Sequence, residues 1–263
     1  MQVIDFINKR GYEVISFPDG EKHLKINQLD RKEDVEVICR ITNSDDLFLL
    51  MQLSDILNRQ CVRVSKIYIS YLMSMRCDRL FSLEQPFSLR IVSDVINSFN
   101  AETVYITEPH SNATLSLIKN SVNNPVFFVT ADNNFVFCFP DSGAIERNKN
   151  SVTKHRPIKC NKKRDVSTGQ IIGINIEDSG DYAEGMDIVV IDDLCDGGST
   201  FLGIESELRK LNPKSITLAV THAVQKKGIE RVADVYDRVV ITNSYKDWND
   251  EVLPKNVTVI SWE

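Results

Sequence analysis

The sequence lacks the cysteine spacing of a zinc site or of a disulfide framework. Its six cysteines stand at positions 39, 61, 77, 138, 160 and 195 of the 263 residues, and no two of them form a Cys-x-x-Cys pair. Several lie inside short apolar runs, such as Val37–Cys39 and Phe137–Phe139. We therefore interpret the cysteines as small buried side chains of a protein that works in a reducing compartment.

An excess of positive charge is also lacking. Lys and Arg number 31 against 37 Asp and Glu, so the formal net charge is −6. Binding to the phosphate backbone of a nucleic acid needs a basic surface, and we expect no nucleic-acid partner. No apolar run approaches the roughly 18 residues of a membrane helix, and Met1–Asp5 does not begin a secretory signal. These absences predict a cytoplasmic protein without a membrane partner.

Short runs rich in Val and Ile recur along the chain, with helical spacing of apolar residues between several of them. Such runs predict strands that are covered on both faces: Val35–Cys39, Lys66–Ser70, Thr103–Thr107, Phe135–Phe139, Ile188–Ile191, Ile216–Val220, Val239–Ile241 and Val257–Ile260. Helices are predicted to start with Ser44 and Ser88 as caps, and a third over Phe201–Leu211. The alternation of strands and helices predicts an α/β fold with mainly parallel sheets.

The most polar break in the middle of the chain is Lys119–Pro125. We place a domain boundary there, which predicts two α/β halves, residues 1–122 and 123–263. The first half is expected to include a hairpin with strands Glu13–Phe17 and Lys22–Ile26, because the intervening Pro-Asp-Gly has the composition of a turn.

The segment Ile188–Phe201 carries the strongest chemical signal. It is interpreted as a buried strand, two adjacent carboxylates at the end of that strand, a loop of small residues and the start of a helix. Ligands in open α/β sheets bind at the carboxyl ends of strands. Glycine N–H groups, hydroxyls and a helix N-terminus suit a phosphate, whereas carboxylates suit the vicinal hydroxyls of a sugar attached to it. The residues assigned to this sugar-phosphate site are Asp192, Asp193, Asp196, Gly197, Gly198, Ser199 and Thr200.

A turn followed by a capped helix, with no ligand, is the alternative interpretation of this segment. The succession of an apolar strand, Asp-Asp and Asp-Gly-Gly-Ser-Thr favours a binding function. The segment is neither a P-loop nor a dinucleotide fingerprint, because it contains no Gly-Lys-Ser/Thr and no Gly-x-Gly-x-x-Gly.

This element resembles the phosphoribosyl diphosphate (PRPP) binding motif of the type I phosphoribosyltransferase fold, which implies two Rossmann-like, phosphoribosyltransferase-type halves. Further motifs narrow the resemblance to the ribose-phosphate pyrophosphokinase (PRPP synthetase) family. In chain order they are Phe17-Pro18-Asp19-Gly20-Glu21, Ile69-Ser70-Tyr71, Arg76-Cys77-Asp78-Arg79, Thr107–His110, Phe139–Ala144 and Asn161–Arg164. Each motif is short, and their agreement in order identifies the chain as a short, divergent member of that family.

The resemblance implies a reaction in which the anomeric hydroxyl of a ribose 5-phosphate attacks the β-phosphorus of Mg-ATP. The β,γ-diphosphate is transferred and AMP leaves, which is chemistry that depends on positioning and charge neutralisation. Mg²⁺ is the implied cofactor, and ATP, a ribose-phosphate acceptor and further copies of the chain in a homo-oligomer are the implied partners.

The resemblance also assigns residues to roles. Those implied for catalysis are Lys162, Arg164 and His110, and those implied for the metal are His110 and Asp141. Those implied for ATP are Phe17, Asp19, Glu21, Arg76, Cys77 and Asp78. Of these, Asp19 and Glu21 would recognise adenine across a subunit boundary.

Other interpretations stay open. Lys162–Arg164 also fits a solvated basic turn. A phosphoribosyltransferase that consumes PRPP is disfavoured by the ATP-side motifs, and a non-catalytic regulatory relative is disfavoured by the presence of Lys162, Arg164, His110 and Asp141. Gly197 stands where the family has its first loop Thr, so a 5-substituted ribose such as ADP-ribose is a second candidate acceptor beside ribose 5-phosphate.

Overall fold

The computed structural model describes residues 1–126, 128, 135–148, 155–164, 171–178 and 183–263, without the side chains of 162–164, 171, 172 and 178. The chain forms two compact units, Met1–Pro125 and Val126–Glu263. The boundary predicted after Val122 falls inside the strand Ser121–Asn124, three residues before the division between these two units. That strand pairs on one side only, at the edge of its sheet, where polar side chains are tolerated.

The first unit is built on a parallel sheet. Its elements are β1 (Gln2–Asp5), β2 (Tyr12–Ser16), β3 (Lys22–Ile26), β4 (Val35–Ile41), α1 (Ser44–Gln60), β5 (Val64–Leu72), α2 (Ser88–Asn97), β6 (Thr103–Thr107), α3 (Asn112–Leu117) and β7 (Ser121–Asn124). The sheet has the order β1-β4-β5-β6-β7, and all of its pairs are parallel. Strands β2 and β3 form the predicted antiparallel hairpin, although its first strand ends at Ser16.

The predicted caps of α1 and α2 were each one residue too late. Asn43 caps α1, because its side chain accepts hydrogen bonds from the N–H groups two and three residues further on. Ser44 is therefore the first helical residue. Phe87 precedes α2 and makes no side-chain cap bond, so Ser88 lies inside that helix. Both helices still bury an apolar stripe against the sheet, as their spacing predicts.

The second unit is built on a wider, mostly parallel sheet. Its elements are β8 (Phe135–Phe139), α4 (Ser142–Arg147), β9 (Ile158–Arg164), β10 (Ile171–Asp178), β11 (Asp187–Cys195), α5 (Ser199–Arg209), β12 (Ser215–Ala223), α6 (Lys226–Ala233), β13 (Arg238–Thr242), a 3₁₀ turn (Trp248–Asp250) and β14 (Val257–Ile260). Within the described ranges the strand order is β10-β9-β8-β11-β12-β13-β14. Only the pairing of β9 with β10 is antiparallel.

Strand β11 is covered on both faces. Ile188 and Val190 pack into one cluster with residues of β12, α5 and α6. Val189 and Ile191 point the other way and pack against the phenylalanines of β8. This arrangement confirms the prediction that the continuous apolar run Ile188–Ile191 forms a buried parallel strand.

The structure corrects two predicted boundaries near the site and excludes one alternative interpretation. Strand β11 continues past Ile191 to Cys195, because it keeps its pairing with β12 through that residue. The third predicted helix starts at Ser199 and ends at Arg209. Lys162–Arg164 is not a turn, since its backbone lies in β9 and pairs with β10.

None of the helices that the structure describes has the length and apolar character needed to cross a bilayer.

Candidate active site

A topological switch point of the second sheet lies between β8 and β11. From β8 the chain passes through α4 to β9 on one side, whereas from β11 it passes through α5 to β12 on the other. The two connections diverge from the carboxyl ends of β8 and β11. Ligands of open α/β sheets bind in the crevice that is expected at such a point.

Asp192 and Asp193 lie at this edge, inside β11 rather than after it. Both are buried, with relative exposures of 9% and 3%. Arg147, at the end of α4, reaches both of them: its Nη2 lies 2.5 Å from Asp192 Oδ1 and 2.7 Å from Asp193 Oδ1. Burying a carboxylate is costly unless it is paired, so Arg147 makes this position possible. The ion pairs among these three side chains join α4 to β11.

The loop after β11 turns sharply into α5. Gly198 is the N-cap of α5 and has a positive φ of 78°, a conformation that favours glycine. A Cβ atom at Gly198 would also lie 2.9 Å from Val232 of α6. Ser199 and Thr200 follow in the first turn of α5, where backbone N–H groups have no partner within the helix. The loop therefore presents hydroxyls and a helix N-terminus, as an anion site requires.

Cys195, the buried residue at the end of β11, lies beside this loop, with its Sγ 3.9 Å from the carbonyl oxygen of Asp196. Burial raises the pKa of the Cys195 thiol to about 12, and the Gly198 backbone and the charge of Arg231 offset only part of that rise. The thiol is therefore protonated at neutral pH and adds no negative charge to the loop.

Helix α6 supports the loop from behind. A Cβ atom at Gly228 would lie 1.8 Å from the carbonyl oxygen of Asp196, so the helix and the loop approach each other more closely than a side chain allows. Gln225, which precedes α6, donates to Asp196 Oδ1 at 2.6 Å. Arg231 Nη1 donates to the Gly197 carbonyl at 2.6 Å. These contacts hold the loop backbone in one shape.

The other assigned residues of this unit lie after β8, the strand next to β11, and on β9, the strand beyond it. Asp141 follows β8 and caps α4, accepting a hydrogen bond from the Ala144 N–H at 3.0 Å. Lys162 and Arg164 lie in β9, the neighbour of β8, with their backbones paired to β10. Their side chains lie outside the described residues.

In the first unit, one group of assigned residues follows two paired strands. Arg76, Cys77 and Asp78 follow β5, and His110 follows β6. Arg76 and Cys77 are exposed, whereas Asp78 is buried. The pKa of Asp78 is lowered, first by its hydrogen bond from Arg79 and then by Ser111 and the nearby charge of His110. The Arg79 guanidinium lies 2.7 Å and 3.1 Å from the two oxygens of Asp78. Asp78 and His110 thus follow paired strands, and the charge of His110 contributes to the lowered pKa of Asp78.

The remaining assigned residues of the first unit lie at the tip of the hairpin, between β2 and β3. Phe17, Asp19 and Glu21 are all exposed there. The tip is shaped by its own bonds: the Phe17 and Glu21 backbones pair, and Asp19 accepts from the Glu21 N–H at 3.1 Å. The hairpin therefore presents an aromatic ring and two carboxylates to solvent.

Sequence reasoning missed the residues that support the site. Arg147, Gln225, Gly228 and Arg231 each act through a contact made only in the folded chain. The sequence shows that two adjacent buried carboxylates need a cation, but nearby basic residues are too numerous to choose among. Arg79 belongs to the motif Arg76-Cys77-Asp78-Arg79, but the sequence did not predict its ion pair with Asp78.

The close approach at Gly228 gives a direct prediction. In Gly228→Ala the new Cβ must displace the Asp196 backbone, so we expect a loss of about 1–3 kcal/mol in stability and weaker binding of ribose 5-phosphate. Calorimetric unfolding and titration measure the two effects. Gly173→Ala is the matched control, because no atom of the residues that the structure describes lies within 4 Å of its Cβ position. Equal stability and affinity in the two variants would refute the buttressing role of α6.

Comparisons with known proteins agree with this geometry. The phosphoribosyl transferase domain family matches residues 144–254, a range that includes β11, its loop and α6. Ribose-phosphate pyrophosphokinase 2 of Archaeoglobus fulgidus is 30% identical over 217 residues, which cover 79% of this chain and 74% of the relative. The ribose-phosphate pyrophosphokinase of Pyrococcus furiosus is 28% identical over 246 residues, covering 88% and 85%.

A solved structure shows the same fold. The phosphoribosylpyrophosphate synthetase from Mycobacterium smegmatis superposes with a TM-score of 0.77 at 21% identity, covering 95% of this chain and 85% of that one. The two halves with mainly parallel sheets are thus of the phosphoribosyltransferase type. Together with the relatives, these matches confirm the resemblance inferred from the motifs: the chain belongs to the ribose-phosphate pyrophosphokinase family of diphosphotransferases.

Proposed function

We propose that this protein transfers the β,γ-diphosphate of ATP to the anomeric hydroxyl of a ribose 5-phosphate-type acceptor. The acceptor oxygen forms a bond to the β-phosphorus, the bond from that phosphorus to the oxygen of the α-phosphate breaks, and AMP leaves. The hydroxyl proton is released. The observation that carries the proposal is the element Asp192–Thr200 at the switch point, with buried carboxylates on one side and an anion-binding helix start on the other.

The acceptor lies along this element in the proposal. Asp192 and Asp193 accept hydrogen bonds from two sugar hydroxyls, since ionised carboxylates are acceptors only. Arg147 holds the two carboxylates in place. Ser199, Thr200 and the first N–H groups of α5 bind the 5-phosphate. A ribose held at both ends presents its anomeric carbon in a fixed direction, which lowers the entropic part of the barrier.

Mg²⁺ is the proposed cofactor, and Asp141 is the residue that fits it best. Mg²⁺ is typically held by one or two carboxylates together with substrate phosphates. No cluster of three His, Cys, Asp or Glu side chains able to hold a metal occurs in the described part of the chain, so the proposed site includes the phosphates of the substrate. Bound Mg²⁺ would neutralise the charge of the phosphates. His110 is a poor direct ligand for a hard cation and acts through water in this proposal.

The remaining roles are proposed from the family assignment. Lys162 and Arg164 stabilise charge on the diphosphate as it is transferred. Arg76, Cys77 and Asp78 contact ATP, and His110 beside Asp78 lies next to the same ligand. The exposed hairpin with Phe17, Asp19 and Glu21 recognises adenine in another copy of the chain, so the active protein is a homo-oligomer.

The reaction products test this proposal. With ATP, Mg²⁺ and ribose 5-phosphate, we expect AMP and a product whose diphosphate is attached to the anomeric carbon, identified by phosphorus NMR. Lys162→Ala is the control, with kcat lowered by about 10²-fold or more. Formation of ADP would contradict diphosphate transfer. A phosphoribosyltransferase would instead consume PRPP without ATP, and a regulatory relative would form no AMP.

The identity of the acceptor is a separate proposal, in which ADP-ribose competes with ribose 5-phosphate. Gly197 supports the larger acceptor. Among the described residues, a Cβ atom at this position would meet only Arg231 Nη1, at 3.9 Å. The absent side chain thus leaves space beside the loop, where a diphosphate linkage passes without a clash.

Acceptor preference is decided by the ratio of kcat/KM values for ribose 5-phosphate and ADP-ribose. We expect transfer to ADP-ribose to be measurable, and Gly197→Thr to reduce it more than transfer to ribose 5-phosphate, because the new side chain fills the space beside the loop. Gly173→Ala serves as the control. The extended-acceptor proposal fails if the wild-type protein transfers no diphosphate to ADP-ribose.

A further inference from the structure

The proposed phosphate site lies in an acidic segment. Asp192, Asp193 and Asp196 all stand within seven residues of Ser199, the first residue of α5, and a bound phosphate adds about two further negative charges at neutral pH. Arg147 is bonded to Asp192 and Asp193. Asp196 accepts a hydrogen bond from Gln225. A dianion next to these carboxylates is stabilised by positive charge that another element brings to the loop.

Arg231 of α6 brings a guanidinium to the loop. Its Nη1 lies 2.6 Å from the Gly197 carbonyl oxygen and 3.5 Å from Ser199 Oγ. Ser199 belongs to the proposed phosphate site. The position that a side chain at Gly197 would occupy lies 3.9 Å from the same nitrogen, so the glycine leaves the guanidinium uncovered on this side.

From this geometry we propose that Arg231 is a further acceptor-binding residue, which holds the loop through Gly197 and supplies positive charge to the acceptor's 5-phosphate. The inference rests on the proposed function, since it concerns the phosphate of the same acceptor. An Arg side chain suits both tasks, because its several N–H donors allow it to bond a carbonyl and a phosphate at once. If Arg231 only held the loop in place and did not bind the acceptor, a neutral hydrogen-bond donor would be sufficient.

Arg231→Gln separates the two possibilities, because Gln keeps a donor and removes the charge. We expect the dissociation constant for ribose 5-phosphate, and its KM, to rise by about 10- to 100-fold, with little change in the KM for ATP. Arg231→Lys keeps the charge without the planar fork and should bind between Arg231→Gln and wild type. The affinity of Arg231→Gln should also depend less steeply on salt than that of wild type.

Arg238→Gln is the matched control. It removes the same charge at the exposed start of β13, and this end of a parallel strand is opposite to the edge that holds the loop. Its affinity for ribose 5-phosphate should equal that of wild type. Calorimetric unfolding of every variant shows whether it is folded. If Arg231→Gln does not fold, Arg231→Lys replaces it, and weaker binding with an unchanged KM for ATP is expected.

Wild-type affinity and salt dependence in the folded Arg231 variant would overturn the inference and leave the proposed function intact. An equal loss of affinity in Arg238→Gln would likewise overturn it, because the effect would then come from net charge. If the wild-type protein binds no ribose 5-phosphate and forms no AMP, the proposed function itself fails, and Arg231 loses its role with it.

Discussion

The carboxylates of Asp192 and Asp193 are buried at the end of β11, and the rest of the second unit is arranged so that they can remain there. Two adjacent buried anions require a cation within bonding distance. Arg147 meets this need only because α4 follows β8, the strand that pairs with β11. The same constraint explains why β11 is central and covered on both faces: a fixed strand keeps the carboxylates, the loop and α5 in one register. The support of the loop by α6 extends this rigidity to the proposed phosphate-binding residues.

Much of the fold could be predicted from the sequence, because its core strands are continuous runs of Val, Ile and Phe. Phe135–Phe139 and Val257–Ile260 were predicted with the bounds that the structure has. Strands without such runs were not recognised: Ser121–Asn124 is polar because it lies at a sheet edge, and Ile158–Arg164 is rich in Lys and Arg. Strand β11 was predicted too short, because carboxylates after Ile191 were taken as the end of the strand, whereas pairing with β12 carries it on to Cys195.

The candidate site could be predicted from the sequence where it consists of consecutive residues. It could not be predicted where it depends on contacts between separate elements. The succession from Asp192 to Thr200 was identified as one binding element, and the structure places it at a switch point between strands. By contrast, the partners of that element come from distant positions: Arg147 from α4, and Gly228 and Arg231 from α6. Gly228 looks unremarkable in the sequence, since a helical glycine has many causes. Its role appears only when the Asp196 carbonyl is found where a side chain would be.

The central claim is that the two buried carboxylates accept hydrogen bonds from the sugar hydroxyls of the acceptor. Calorimetric titration with ribose 5-phosphate and with 2-deoxyribose 5-phosphate tests it most directly, since the ligands differ by one hydroxyl. The account predicts that wild type prefers the ribose ligand by about tenfold or more, in line with the 1.5–3 kcal/mol of a hydrogen bond to a charged group, and that Asp192→Asn or Asp193→Asn reduces this preference. Equal binding of both ligands to the wild-type protein would contradict the account.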